Sequence, residues 1–314
     1  MKLAHFMKYA TLAASLAFST VSMASDWKPS GQIMFDIGVG AGGETDAIGR
    51  TFAKVLEEQT GWKVVTQNKP GGAGIAMLSS MRNKRPDGKT IGLAVNLPVL
   101  VNLALRGKFL PFNLDSFDYL GTIASSGLDI VTLGDAPFNN IEELVAYSKT
   151  HDGVAIATDA KPQELIMKRI AEKTGANFKI LVTKSTAAQL QLLLGGKAMV
   201  GLPSGKHIPY LKTGQLKLLA SANSTRHSYA PDTPTLIEQG FNLFVDPSFF
   251  FAAPKGLSAE AKAALATAID NAVNSPEVKT IVQNVLATQT NNLGPAGTRK
   301  MLDDGFEGVQ VLLK

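Results

Sequence analysis

Two glycine-rich loops, each set between a strand-length apolar run and a helical period, restrict what this chain can fold into more than any other feature. Residues 32–37 (Gln-Ile-Met-Phe-Asp-Ile) read as a strand. The loop Gly38-Val39-Gly40-Ala41-Gly42-Gly43 follows. Residues 45–60 then put Ile48, Phe52, Val55 and Leu56 on one helical stripe, closed by Gly61. Residues 64–66 read as a second short strand. Pro70-Gly71-Gly72-Ala73-Gly74 is a second glycine loop, followed by a helix over 75–82, a Pro86-Asp87-Gly88 turn and a third strand over 90–95. Alternation of this kind implies parallel strands joined by right-handed crossovers. Parallel sheets gather ligands at the carboxyl ends of their strands. Both loops lie at such ends, and Asn96 follows the third strand in the same position.

The alternation pauses over residues 119–133, which read as extended, and then resumes. Helices are expected over 140–150, 162–174 and 186–194, and strands over 154–158, 178–183, 198–202 and 216–221. The last third reads as three helices, 258–274, 275–286 and 296–313. At 314 residues the chain is too long for one small core and suits about two domains. Two α/β units joined by an extended segment predict a bilobed protein. One lobe is expected over 25–124 plus 246–314 and the other over 125–245.

The first 24 residues are set apart from the fold. Lys2 and Lys8 precede a 13-residue apolar run, Tyr9 to Val21, and Ser22-Met23-Ala24 supplies small residues for cleavage. This is the three-part pattern of a secretory signal, too short to span about 30 Å of hydrocarbon. A non-cleaved anchor or a buried N-terminal helix is the alternative. An exported, periplasmic protein is expected. Net charge is +5, and two of those charges lie in the leader. So small an excess, without a clustered basic stripe, does not favour nucleic acid as a partner. The chain has no cysteine, which excludes thiolate zinc sites and iron–sulfur clusters.

Glycines at the head of a helix let a ligand approach the backbone, leave N–H groups pointing outward and add the positive end of the helix dipole. The first loop therefore favours an anion. It could equally be a turn that caps its helix with Thr45 or Asp46. Gly38, Gly40 and Gly43 also match a dinucleotide fingerprint, but the acidic residue that motif needs after the second strand is absent from Thr66-Gln67-Asn68. In the second half, Thr158, Asp159 and Lys161 follow one strand, and Thr183, Lys184, Ser185 and Thr186 follow the next. Lys184 could neutralise an anion or be a solvated surface charge. Catalytic readings fare poorly. There is no H-E-x-x-H and no G-x-S-x-G, and the adjacent acidic pairs Glu57-Glu58, Glu142-Glu143 and Asp303-Asp304 point different ways on a helix. A receptor is expected, not an enzyme, with no cofactor and no metal.

Five segments then carry a resemblance: Gly42-Gly43-Glu44-Thr45-Asp46, Asn68-Lys69-Pro70-Gly71-Gly72-Ala73-Gly74, Pro86-Asp87-Gly88-Lys89-Thr90, Thr183-Lys184-Ser185 with Leu194-Gly195-Gly196-Lys197, and Pro231-Asp232-Thr233-Pro234-Thr235 with Glu238-Gln239-Gly240. In this order the chain resembles the Bug family, the solute-binding receptors of tripartite tricarboxylate transporters. The resemblance implies an α/β, two-lobed periplasmic binding protein of type II topology, with the ligand cleft between the lobes. It implies that a small organic carboxylate is held there and handed to membrane permease subunits by a monomeric receptor. By carry-over, Gly42, Gly43, Thr45 and Asp46 would hold the anion, Gly72 and Ala73 would line the same lobe, and Thr158, Asp159, Lys184 and Ser185 would close from the other.

The chain departs from that pattern in places. Gly38 and Ala41 stand where proline is usual, and Glu44 stands where glycine is usual. A carboxylate beside an anion pocket repels the ligand unless it points to solvent. Leu202 replaces an acid that some members present, which weakens a case for amino-acid ligands. Phe249, Phe250 and Phe251 could line an aromatic or long-chain pocket or belong to the core. Micromolar binding requires about −8 kcal/mol, whereas one helix N-terminus supplies about 0.3–1 kcal/mol. Two lobes must therefore close on the ligand. A sensory protein signalling to a membrane kinase is the competing function, and an exported enzyme on small acids a third.

Overall fold

The computed structural model describes residues 27–313. The expected leader lies outside the described residues. In chain order the first stretch runs β1 (Ile33–Ile37), α1 (Glu44–Thr60), β2 (Val64–Asn68), α2 (Ile75–Met81), β3 (Thr90–Val95), α3 (Asn96–Arg106) and β4 (Phe117–Ser125). Next come β5 (Asp129–Leu133), α4 (Ile141–Thr150), β6 (Val154–Thr158), α5 (Lys161–Thr174), β7 (Phe178–Val182), α6 (Thr186–Leu194), β8 (Val200–Gly201), α7 (Ile208–Lys212) and β9 (Leu216–Ser221). The chain returns as β10 (Ser248–Pro254) and ends in α8 (Ala259–Val273), α9 (Pro276–Leu286) and α10 (Gly294–Leu313).

The strands form two five-stranded sheets, ordered β2-β1-β3-β10-β4 and β7-β6-β8-β5-β9. In the first, β1 is parallel to β2 and β3, and β10 runs antiparallel between β3 and β4. In the second, β6 is parallel to β7 and β8, and β5 runs antiparallel between β8 and β9. Each sheet thus takes its antiparallel strand from the chain as it crosses over: β5 on the way out, β10 on the way back. Parallel strands with their helices behind them place every strand-to-helix loop on one edge.

Aromatic packing holds the first sheet. Phe35, Phe52 and Phe251 are fully buried, and the Phe52 and Phe251 rings lie 4.5 Å apart between centroids. Phe249 and Phe251 join one apolar cluster and Phe250 the other, as alternation along a two-sided strand requires. The Phe249–Phe251 run is therefore core. At the end of α1, Gly61 takes φ 68, where a Cβ would be strained, and its N–H closes the helix on Glu57 O. The expected extended segment over 119–133 is divided between two sheets as β4 and β5. α3, α7 and β10 add to the elements expected.

Two crossovers join the sheets, and they are bonded to each other. Ser126 N–H donates to Pro247 O (2.7 Å), and Leu128 N–H donates to Asn223 Oδ1 (2.8 Å). Asn223 Nδ2 donates to Ser126 O (3.1 Å). Asn96, at the head of α3, clamps the return: its Nδ2 donates to Asp246 O (3.0 Å) and its Oδ1 accepts from Ser248 N–H (2.8 Å). α10 also bridges the sheets, packing on β4 and α3 while Leu312 O accepts from Arg169 Nε of α5 (2.9 Å).

Candidate functional site

The two glycine loops of the first sheet form one platform. A Cβ on Gly38 would stand 2.8 Å from Gly74 Cα, so the loops touch backbone to backbone. Asn68, at the end of β2, bridges them from the side. Its Nδ2 donates to Val39 O (3.1 Å) and to Asp46 Oδ1 (2.8 Å). Asp46 is the centre of this network. Its Oδ2 accepts the N–H of Gly42 (2.9 Å) and its Oδ1 also accepts Arg50 Nε (2.9 Å). Burial alone would raise the Asp46 carboxyl. The bonds from Gly42, Asn68 and Arg50 outweigh it and hold the group below the usual carboxylate range. All the strong acceptor capacity of Asp46 is thus turned toward its own loop, which makes it a residue that positions the platform.

Gly42 takes φ 85, a conformation glycine adopts without strain. Gly43 has open space where a side chain would be, and it leads α1 with no side-chain cap. The first-turn N–H groups of α1, through Thr45, have no intrahelical acceptor. Gly72 and Ala73 form the single 3-10 turn before α2. Glu44 opens α1 and is only half-exposed. Burial and the charge of Asp159 raise its carboxyl, with Lys206 acting against them. Glu44 therefore lies within electrostatic reach of two residues of the opposite sheet's rim.

The second rim is built differently. Thr158 ends β6, buried, and its carbonyl accepts Thr183 N–H (2.6 Å). Asp159 is held from two sides: Oδ1 accepts from Gln163 Nε2 (2.7 Å) and Oδ2 from Thr186 Oγ1 (2.8 Å). Gln163 in turn accepts Gln189 Nε2 on its Oε1 (3.1 Å), and Gln189 Oε1 accepts Leu202 N–H at the end of β8 (3.0 Å). Both glutamines are buried. Ser185 caps α6, its Oγ accepting Ala188 N–H (3.2 Å). Lys184 is exposed beside it.

Between the rims lies a cavity of about 370 Å³. The head of α3 (Val95, Leu97, Pro98, Val101) forms one wall, the head of α5 with Thr186 and Ser204 the other, and the crossover residues Leu128 and Pro247 the floor. Of the residues expected from sequence, Asp159 lines it. Gly42, Gly43, Thr45, Asp46, Gly72 and Ala73 form the platform on the first rim. Asn96 stands behind it as the crossover clamp, and Lys184 and Ser185 lie at the margin. Sequence reasoning missed the Gln163–Gln189 relay and the apolar wall of α3. Glu44 carried a signal as a departure from pattern.

Behind the second rim sits a buried ionic cluster. Asp129, the first residue of β5, has His207 Nε2 2.8 Å from its Oδ2 and His227 Nε2 3.1 Å from its Oδ1. The Tyr229 hydroxyl donates to Oδ2, and its ring stacks on His227. Burial opposes ionisation of Asp129, but the two imidazoles hold its carboxyl at about 2. Burial likewise lowers His227, and Asp129 raises it further.

The sheet orders, the paired crossovers and the facing rims define a two-lobed periplasmic binding protein of type II topology with its cleft between the lobes. Comparison with known proteins places it more closely. A model of the tripartite tricarboxylate transporter family receptor matches residues 48–294, and the chain belongs to that family. A Cupriavidus necator protein of the UPF0065 group is 30% identical over 275 residues, covering 86% of this chain and 83% of that one. Protein BugT of Bordetella pertussis is 27% identical, covering 82% and 80%. Among solved structures, a TctC solute-binding protein from Polaromonas superposes with a TM-score of 0.79 at 22% identity, covering 91% of this chain and 98% of that one. MatC of Rhodopseudomonas palustris with bound malate gives 0.70 at 18%, covering 91% and 100%, and an R. palustris protein with adipate gives 0.70 at 19%, covering 91% and 97%. The matched family is one of transporter receptors, and the Polaromonas neighbour is a solute-binding protein; neither is an enzyme. Among the described residues, no helix is long and apolar enough to cross a membrane.

Proposed function

We propose that this receptor captures a small organic carboxylate between its lobes in the periplasm and delivers it to the membrane subunits of a tripartite tricarboxylate-type transporter. The observation that carries the reading is the platform. Two glycine loops in backbone contact present unpaired first-turn N–H groups across a cleft to the head of a second helical rim. The malate and adipate bound to two structural neighbours fit the same chemistry. In this reading Gly43 and Thr45 take the carboxylate, with Gly72 and Ala73 beside them, while Gly42 shapes the loop with its N–H bonded to Asp46. Asp46 fixes the loop, and Thr158 and Asp159 close from the second lobe. Asn96 serves as the hinge clamp, Ser185 as a cap and Lys184 as a marginal charge.

The lobes of the proposal follow the crossovers: residues 25–124 with 246–314, and residues 125–245. Closure would bend the crossovers and shift the α10–α5 contact, a hinge movement membrane subunits can sense. Export by a cleaved leader over residues 1–24 and a monomeric state complete the reading.

A thermal-shift screen of purified protein against aliphatic and aromatic carboxylates, amino acids and sugars tests it. A ligand at 100 times its Kd stabilises by about 2.7 kcal/mol. A carboxylate hit verified by calorimetry is expected. Hits confined to sugars or amino acids would sink the carboxylate reading. Deletion followed by uptake and reporter assays separates transport from sensing: loss of uptake is expected, and a lost reporter response with intact uptake would favour the sensor.

A further inference from the structure

Resting on the carboxylate-receptor reading above, we infer that the cleft selects a monocarboxylate with an apolar body and turns away ligands that carry a second carboxylate. The first support is the wall. Val95, Leu97, Pro98, Val101, Leu128 and Pro247 give the cavity an apolar side and floor, so a ligand body lying there gains by contact, while Asp159, Lys161, Gln163, Thr186 and Ser204 keep the other side polar. Its volume, about 370 Å³, suits a body of modest size.

The second support is charge. Two resident carboxylates belong to the rims: Asp159 in the cavity lining, and Glu44 within electrostatic reach of it. Glu44 stands at the head of α1, where it already occupies the anion-favouring end of that helix. Asp159 lines the cavity and is locked in place by Gln163 and Thr186, so it cannot swing away from an arriving anion. Glu44 is half-buried, and burial and the charge of Asp159 both act against charge on it.

The lysine that lines the cavity, Lys161, is already paired. Lys161 Nζ lies 3.0 Å from Glu164 Oε2, and Lys206 sits in the field of Glu44. The chain end of β8 offers Leu202, buried and apolar. One carboxylate can be held by the glycine platform. A second, reaching across the cleft, meets the fixed carboxylate of Asp159, and like-charge contact of that kind discriminates between ligands.

Calorimetry at pH 8 with hexanoate, benzoate, adipate and malate tests the inference on wild type, Glu44→Gln and Val101→Thr. Wild type is expected to bind hexanoate or benzoate at least about tenfold more tightly than adipate. E44Q should narrow the hexanoate-to-adipate ratio by about tenfold while hexanoate affinity stays within about twofold. V101T, nearly isosteric, should weaken hexanoate and leave adipate unchanged. Circular dichroism melts establish that both variants are folded. Adipate or malate binding wild type as tightly as hexanoate, or a ratio unmoved by E44Q, would overturn the inference while leaving a carboxylate receptor standing. Failure of all four acids to bind wild type, with a sugar or amino acid hit in the broader screen, would overturn the receptor reading instead.

Discussion

The rim on the first sheet presents backbone, whereas the rim on the second presents side chains. On the first, Gly42 and Gly43 leave open space at the head of α1, and the residues that hold the loop, Asp46, Asn68 and Arg50, sit to one side as a charge-assisted network. Arg50 is about half exposed, so its share of that network is screened by water. On the second rim the positioning is internal: a relay of two buried amides runs from Asp159 through Gln163 and Gln189 to the end of β8. A buried neutral relay is insensitive to salt and costly to interrupt, because each lost partner strands a desolvated group. The same cleft is thus supported by an adjustable wall and a rigid one.

The largest expected break lies behind the rigid wall. Asp129→Asn takes the buried carboxylate away from the partly buried His227 and the buried His207 and should destabilise by about 3–5 kcal/mol in urea titration. The same cluster sets a pH dependence. Asp129 has a folded pKa of about 2, below its unfolded value, so its contribution is present above about pH 4 and fades as pH falls toward 2. His227 is raised above 6.5, so its contribution is complete below that pH and is lost as pH climbs through the folded value. Melting temperature should therefore fall at both ends in wild type, and the alkaline fall should vanish in His227→Gln. A flat wild-type profile would remove the cluster from the account.

Next comes a pair of glycine substitutions within the adjustable wall. Gly38→Val drives a side chain into Gly74 and Leu93 backbone and should cost about 3 kcal/mol. Gly43→Val meets no atom within 4 Å, so stability should hold while carboxylate binding disappears. Retained binding in Gly43→Val would count against backbone capture.

The smallest effects sharpen the contrast between the walls. Gln189→Leu should cost about 1–3 kcal/mol and weaken binding equally at low and high salt. Asp46→Ala should cost about 1 kcal/mol, given the exposure of Arg50, and its affinity loss should shrink in 0.5 M salt, a concentration about where screening lengths fall to a few ångströms. Equal salt responses from the two variants would erase the distinction.

Much of the first rim was legible along the chain because backbone presentation needs glycine, and glycine between a strand and a helix is visible in one dimension. The strand over 90–95 and the helix over 186–194 were likewise readable from period alone. α3 was not, since Asn96-Leu97-Pro98 reads as a turn, and Pro98 sits in the first helical turn, where its missing N–H does no harm. β10 was hidden for another reason. Its three phenylalanines serve both faces of a central strand, so they show no polar alternation to mark a strand. Asn96 was expected on the ligand-binding rim, and its amide is spent on Asp246 and Ser248, 150 and 152 positions away.

By itself, then, the order of residues determined the alternating α/β architecture, the two glycine loops and the location of an anion-friendly edge. These depend on local period and on backbone freedom, which neighbours in sequence control. Only the tertiary structure decided that Asp46 serves its own loop, that Glu44 lies within electrostatic reach of Asp159 and Lys206, and that two glutamines join three loops of the second rim. Those roles rest on distances between segments far apart in the chain, and hydrogen bonding and burial act through space, not along sequence.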